Sequence, residues 1–227
     1  MAIYVLLHGA WSGGWQWKEV AFRLLSAGHE VYTPTLTGVG ERVHLASPDI
    51  GLDTHVQDVL GVLKYEALSN VILVAHSYSG VVATAVVEQV PEKIGHLVYV
   101  DAFVPQDGQS LKDILGADVW AFFEQAATTY GAGWRIPHDP PDADRRTDAL
   151  INPCRQPVTV KSPLASTVPR TFIYSTDKSD LGPIGAGITR AAARAKVEGW
   201  GYHELNTGHM SMWTMSEPLS VLLLELA

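Results

Sequence analysis

The side chains in this chain that could cleave an acyl bond are a serine, a histidine and a carboxylate, each placed where an apolar run ends. The stretch "VAHSYSG", residues 74–80, sets Ser77 between the apolar runs 71–74 and 81–83. A strand, a serine at a sharp turn and then a buried helix is the setting of a nucleophile elbow, which exposes the hydroxyl for attack. The usual spacing is G-x-S-x-G; here the small positions are Ala75 and Ser79, with Gly80 one step later. Small side chains are needed there because the strand and helix backbones pass close together, and Ala and Ser add only one or two heavy atoms. The competing reading of Ser77 is a cap on the following helix.

A serine hydroxyl is a weak nucleophile until a base takes its proton. Of nine histidines, His209 in "NTGHMSMW" follows a Gly, just past a strand-like run and just before the final helix, where it can face Ser77. His8 and His76 also leave strands, and read as supporting groups beside the site. An acid must orient the imidazole and stabilise its charged form. Asp101 ends the run "LVYVDAFVP" among apolar neighbours, where a carboxylate is costly to bury unless paired. Asp180, with Asp177 nearby, lies in the polar stretch "STDKSDLG" after a later strand. Burial favours Asp101, and both stay open.

The elements that must carry these residues are legible as periodicity. Six short, β-branched and aromatic runs read as strands: Ile3–Leu7, Glu30–Pro34, Val71–Ala75, His96–Val100, Thr171–Ser175 and Tyr202–Leu205. Several are apolar on both faces, as in a parallel sheet covered on both sides. Helical stripes fall between them: Trp17, Val20, Ala21, Leu24 and Leu25, stopped by Gly28; then Leu52, Val56, Val59, Leu60 and Leu63, with Asp53 or Thr54 as N-cap. Ser79–Val90 is apolar all round and closed by Pro91, and Leu219, Leu222, Leu223 and Leu226 form a last stripe. The alternation gives an α/β class with a mainly parallel six-stranded sheet and helices on both faces. It breaks at 105–169, which holds Trp120, Phe122, Phe123, Tyr130 and Trp134 and then a Pro-rich stretch, 137–146. That segment reads as a cap inserted into a core of 1–104 and 170–227, with its apolar residues facing inward. A plain helical subdomain is the alternative.

Composition narrows the function classes. The chain has 227 residues, a net charge of −8 and no cluster of Lys or Arg, so a nucleic-acid footprint is absent. One cysteine, Cys154, precludes an internal disulfide and suits a reducing compartment. No signal-peptide pattern or membrane span is visible, so a cytoplasmic protein is expected. No metal-binding motif, dinucleotide fingerprint or P-loop occurs, and no cofactor is expected. The oligomeric state is not legible; a homodimer stays open.

The phrases "HGAW-GGW", "TLTGVGER", "LDTHVQDV" and "VYVDAFVPQDGQS", with 74–80 and 206–213, resemble the α/β-hydrolase fold. More narrowly, the chain is similar to small bacterial esterases related to plant methylesterases and hydroxynitrile lyases. The resemblance implies Ser77 as nucleophile, His209 as base and the backbone N–H groups of Ala10 and Tyr78 as the oxyanion hole. It also implies an acid after the fifth strand, at a spacing that Asp180 fits; the plant methylesterases have Ala where this chain has Asp101. The lyases carry Thr at the position of Gly9 and Lys at that of Met210. Both differences point to ester hydrolysis. Trp11, Tyr78, Trp120, Phe123, Trp134 and Met210 are the candidate lining of an apolar pocket, with Phe122 beside them. A small apolar or aromatic ester is the expected substrate. Amides, carbamates and lactones pass through the same tetrahedral species, and the rivals are a cyanohydrin lyase and a non-catalytic small-ligand receptor.

Overall fold

The structure, a computed structural model, describes residues 1–138 and 145–227. Most of the Pro-rich stretch of the expected cap, 139–144, lies outside the described residues. In chain order the first half runs β1 (Ile3–Leu7), α1 (Lys18–Ser26), β2 (Glu30–Tyr32), α2 (Leu52–Tyr65), β3 (Val71–His76), α3 (Ser79–Gln89) and β4 (Ile94–Val100). The segment after it holds α4 (Leu111–Leu115), α5 (Ala117–Tyr130), β5 (Arg135–Ile136), β6 (Ala149–Leu150), α6 (Asn152–Arg155) and α7 (Pro163–Thr167). The chain then returns through β7 (Arg170–Ser175), α8 (Gly185–Val197), β8 (Gly201–Leu205), α9 (Ser211–Thr214) and α10 (Ser216–Leu224).

Among the described residues the main sheet has six strands in the order β2-β1-β3-β4-β7-β8, and every pairing in it is parallel. Alternate residues feed two separate cores. Val5, Leu7, Leu73, Ala75, Leu97 and Tyr99 pack under α2, α3 and α8. Tyr4, Leu6, Ile72, Val74, Val98 and Val100 pack with Leu24 of α1 and Leu219 and Leu223 of α10. Strands apolar at every position therefore follow from having helices on both faces.

The register aligns the carboxyl ends. Leu7 sits opposite Ala75, His76 opposite Val100, Val100 opposite Ile173 and Ser175 opposite Leu205. The residues that follow each strand thus emerge along one edge, where open α/β sheets bind ligands. Three local expectations differ. β2 stops at Tyr32, because Pro34 offers no N–H to a ladder. α2 starts at Leu52 behind Gly51, and the Leu52 N–H is taken by the Gln156 side chain rather than by Asp53 or Thr54. On α5 the buried stripe is Trp120, Phe123 and Ala127. Phe122 falls off that stripe and Tyr130 ends the helix, so they are 66% and 77% exposed instead of facing inward. The short β5–β6 ribbon is antiparallel, and Ile136 and Ala149 on it join the same apolar cluster as the sheet.

Candidate active site

Ser77 lies at the β3–α3 turn with φ of +55°, a left-handed conformation that costs a side-chain-bearing residue about 1–2 kcal/mol. The turn is over-determined. The Ser77 N–H donates to the Val100 carbonyl (3.4 Å), and its own carbonyl accepts from Gly80 N–H (3.1 Å) and Phe103 N–H (3.0 Å). α3 has no side-chain cap, so the hydroxyl is not spent as one. The close approach foreseen at the elbow falls on Gly80, where a Cβ would lie 2.2 Å from the Phe103 carbonyl oxygen. Ser79 uses its extra atom: its hydroxyl donates to the His8 carbonyl and ties the elbow to the loop after β1.

His209 follows β8, and the two candidate carboxylates reach different parts of it. Asp101, wholly buried at the exit of β4, brings Oδ2 to 2.7 Å from His209 Nδ1. Its other oxygen accepts from the Ser175 N–H (3.1 Å) and from Lys178 Nζ (2.7 Å). Asp180 instead accepts the His209 backbone N–H at 2.9 Å. The His209 carbonyl accepts from His76 Nε2 at 3.0 Å, and the two imidazoles stand 4.4 Å apart. Because a carboxylate can only accept, Nδ1 carries a proton, which leaves Nε2 as the ring nitrogen not engaged by Asp101. His209 and Ser77 line the same cavity.

Three more imidazoles are buried around this pair. His8 donates from Nδ1 to the Gly9 carbonyl and accepts the Leu36 N–H at Nε2. His76 donates to His209 and accepts from Gln16 Nε2 (3.0 Å), whose Oε1 in turn accepts the Gly9 N–H. His55 donates to the Thr37 carbonyl and accepts from the Tyr78 hydroxyl (2.8 Å). Burial pulls His8 down to about 4. Burial also drives His76 well below the ordinary imidazole range, with the neighbouring His209 adding to it, and lowers His55. Gln16, His55 and Lys178 have no signal of their own in the sequence. Each acts across the fold, and only strand order brings it to the site.

Ala10 and Tyr78 both face the cavity, and among the described residues no hydrogen bond engages either backbone N–H. The cavity holds about 620 Å³. Trp11, Trp120, Phe123 and Met210 line it, as does the exposed Phe122 at its rim. Trp11 is pinned by its indole N–H to the Ile136 carbonyl at 3.1 Å. Trp134 does not line the cavity. It is half-buried just before β5, and its ring carries the Arg135 guanidinium at 5.0 Å.

The sequence model of the "Alpha/beta hydrolase family" matches residues 4–222. The chain belongs to that family. Among curated α/β-hydrolase relatives, a "Carbendazim hydrolyzing esterase" of Nocardioides sp. (strain SG-4G) is 53% identical over 115 residues, 51% of this chain and 48% of that protein. "Methyl jasmonate esterase 1" of Vitis vinifera is 37% identical over 103 residues, 45% of this chain and 40% of that protein. This α/β-hydrolase chain therefore matches about half the length, or less, of those relatives. Among solved structures, an extracellular α/β-hydrolase from a Paenibacillus species superposes with a TM-score of 0.86 at 25% identity, over 100% of this chain and 99% of that one. It is described as sharing structural and functional homology to tobacco Salicylic Acid Binding Protein 2. A pyrethroid hydrolase from Sphingobium faniae JZ-2 shares the fold, with a TM-score of 0.77 at 19% identity over 99% and 96% of the two chains.

Proposed function

We propose that this α/β-hydrolase is a serine esterase acting on a small, largely apolar or aromatic ester through an acyl-enzyme. The observation that carries the reading is the 2.7 Å contact from buried Asp101 to His209 Nδ1, beside a serine held at positive φ. In this reading Asp101 holds the imidazole in one tautomer, and His209 Nε2 takes the proton as Ser77 Oγ attacks the carbonyl carbon. The Ala10 and Tyr78 N–H groups receive the oxyanion. The alcohol leaves with the proton from His209. Water, activated by the same imidazole, then releases the acid and frees Ser77. Residues 105–169 act as the cap that supplies the apolar wall.

The rival lyase reading is opposed by packing as well as by residue type. A Cβ at Gly9 would sit 3.0 Å from His76 Nδ1 and 3.4 Å from Ser77 Cβ, so a threonine there would displace the ring that holds His209. The test is turnover of p-nitrophenyl butyrate by the wild type and by Ser77→Ala. The expected outcome is a loss of about a thousandfold or more in the variant; equal rates in the two proteins sink the assignment. Carbendazim and methyl jasmonate, named for the two relatives, are the next substrates to assay.

A further inference from the structure

Lys178, in the loop after β7, carries a closely held ammonium beside the site. Its Nζ lies 2.7 Å from Asp101 Oδ1, and its side chain is only 16% exposed. The same ammonium donates to the Ser175 carbonyl and stands 4.1 Å over the centre of the Tyr174 ring. Carboxylate, carbonyl and aromatic face converge on it from the end of β4 and from β7, so the position is built rather than incidental. Asp101 is thus shared: one oxygen faces a fixed positive charge and the other faces the His209 ring.

We propose that Lys178 is a positioning residue that compensates the buried Asp101 carboxylate and sets the pH range in which His209 acts as a base. The proposal rests on the triad reading above. A carboxylate facing an imidazole favours its protonated form, and an ammonium on the carboxylate's other side offsets part of that pull. With Lys178 present, the base is released for catalysis at lower pH than Asp101 alone would permit. Among the described residues, the other charged or titratable groups that face His209 or its cavity are Asp180, His76, Arg146 and His138, whose ring lies 2.9 Å from the Arg146 guanidinium. Asp180, from the loop after β7, takes its backbone N–H. His76, from the end of β3, stands against its ring and is kept neutral by burial. Arg146 lines the same cavity and acts on His76 from a distance.

The experiment is the pH profile of kcat/KM on p-nitrophenyl butyrate for the wild type, Lys178→Met, Lys178→Arg and Ser77→Ala. Removing the ammonium should move the acid limb up by roughly one to two pH units, so that the Met variant is about ten- to a hundredfold slower on that limb and near the wild type on the plateau. The Arg variant, which keeps the charge, should follow the wild-type limb. A Met variant whose limb does not move, or whose rate falls equally at every pH, overturns the proposal. If the Met variant does not fold, Lys178→Gln supplies a neutral side chain that can still donate hydrogen bonds to Asp101 and to the Ser175 carbonyl. An unmoved limb in that variant also overturns the proposal. Retained activity in Ser77→Ala overturns the triad reading and this proposal with it, whereas loss in Ser77→Ala with an unmoved limb overturns the Lys178 role alone.

Discussion

At the scale of single residues, the division of labour between two carboxylates is what the fold decides. Asp101 meets the ring of His209 and Asp180 meets its backbone. Asp101→Asn keeps the shape but offers Nδ1 an amide that can favour the wrong tautomer, so kcat on p-nitrophenyl butyrate should fall by about 10³–10⁴-fold. Asp180→Asn keeps a carbonyl oxygen for the His209 N–H, and should cost about tenfold or less. A reversed order in these two rates would return the acid's role to Asp180. The sequence could not separate them, because burial spoke for one and family spacing for the other. Which atom of His209 each carboxylate reaches depends on a strand order, β3-β4-β7-β8, that spacing does not contain. The strand-like runs did give the positions of Ser77 and His209 in the chain: Ser77 directly follows β3, and His209 comes four residues past β8.

At the scale of elements, the elbow is a packing problem before it is a catalytic one. Gly80 on α3 approaches the Phe103 carbonyl so closely that Gly80→Ala must shift backbone. The expected cost is about 2 kcal/mol or more, read as a lower urea midpoint. Gly61, inside α2, would place a Cβ with nothing within 4 Å. Gly61→Ala should therefore raise the midpoint, by about 0.5–1 kcal/mol, through helix propensity alone. Equal effects at the two glycines would refute the close approach at the elbow. Strands and helices were readable because their periods are two and 3.6. Their edges were less so: α2 begins where a glutamine from α6's end reaches it, and α5 turns Phe122 out because one helix stripe takes only part of an aromatic cluster.

At the scale of the whole molecule, the buried neutral histidines tie folding to pH. His8, His55 and His76 all bind a proton less readily folded than unfolded. Their contribution is present above the unfolded value of about 6.5 and is lost as pH falls through and below it. His8, held at about 4, should by itself remove roughly 2 kcal/mol by about pH 5. Urea midpoints at about pH 7.5 and about pH 5 test this, and an unchanged midpoint would refute neutral burial of these rings. The sheet order has a further consequence for biosynthesis. A ribosome delivers the elbow and Asp101 early, while Lys178 and His209, which satisfy that carboxylate, come on β7's exit and past β8. Until they emerge, the nascent chain exposes the edge of β4 and an acid with no counterpart, so that edge must stay wet. The last strands to be made are therefore the ones that let the centre of the sheet dry, and a chain released before them would be a client for chaperones and proteases rather than a slower enzyme.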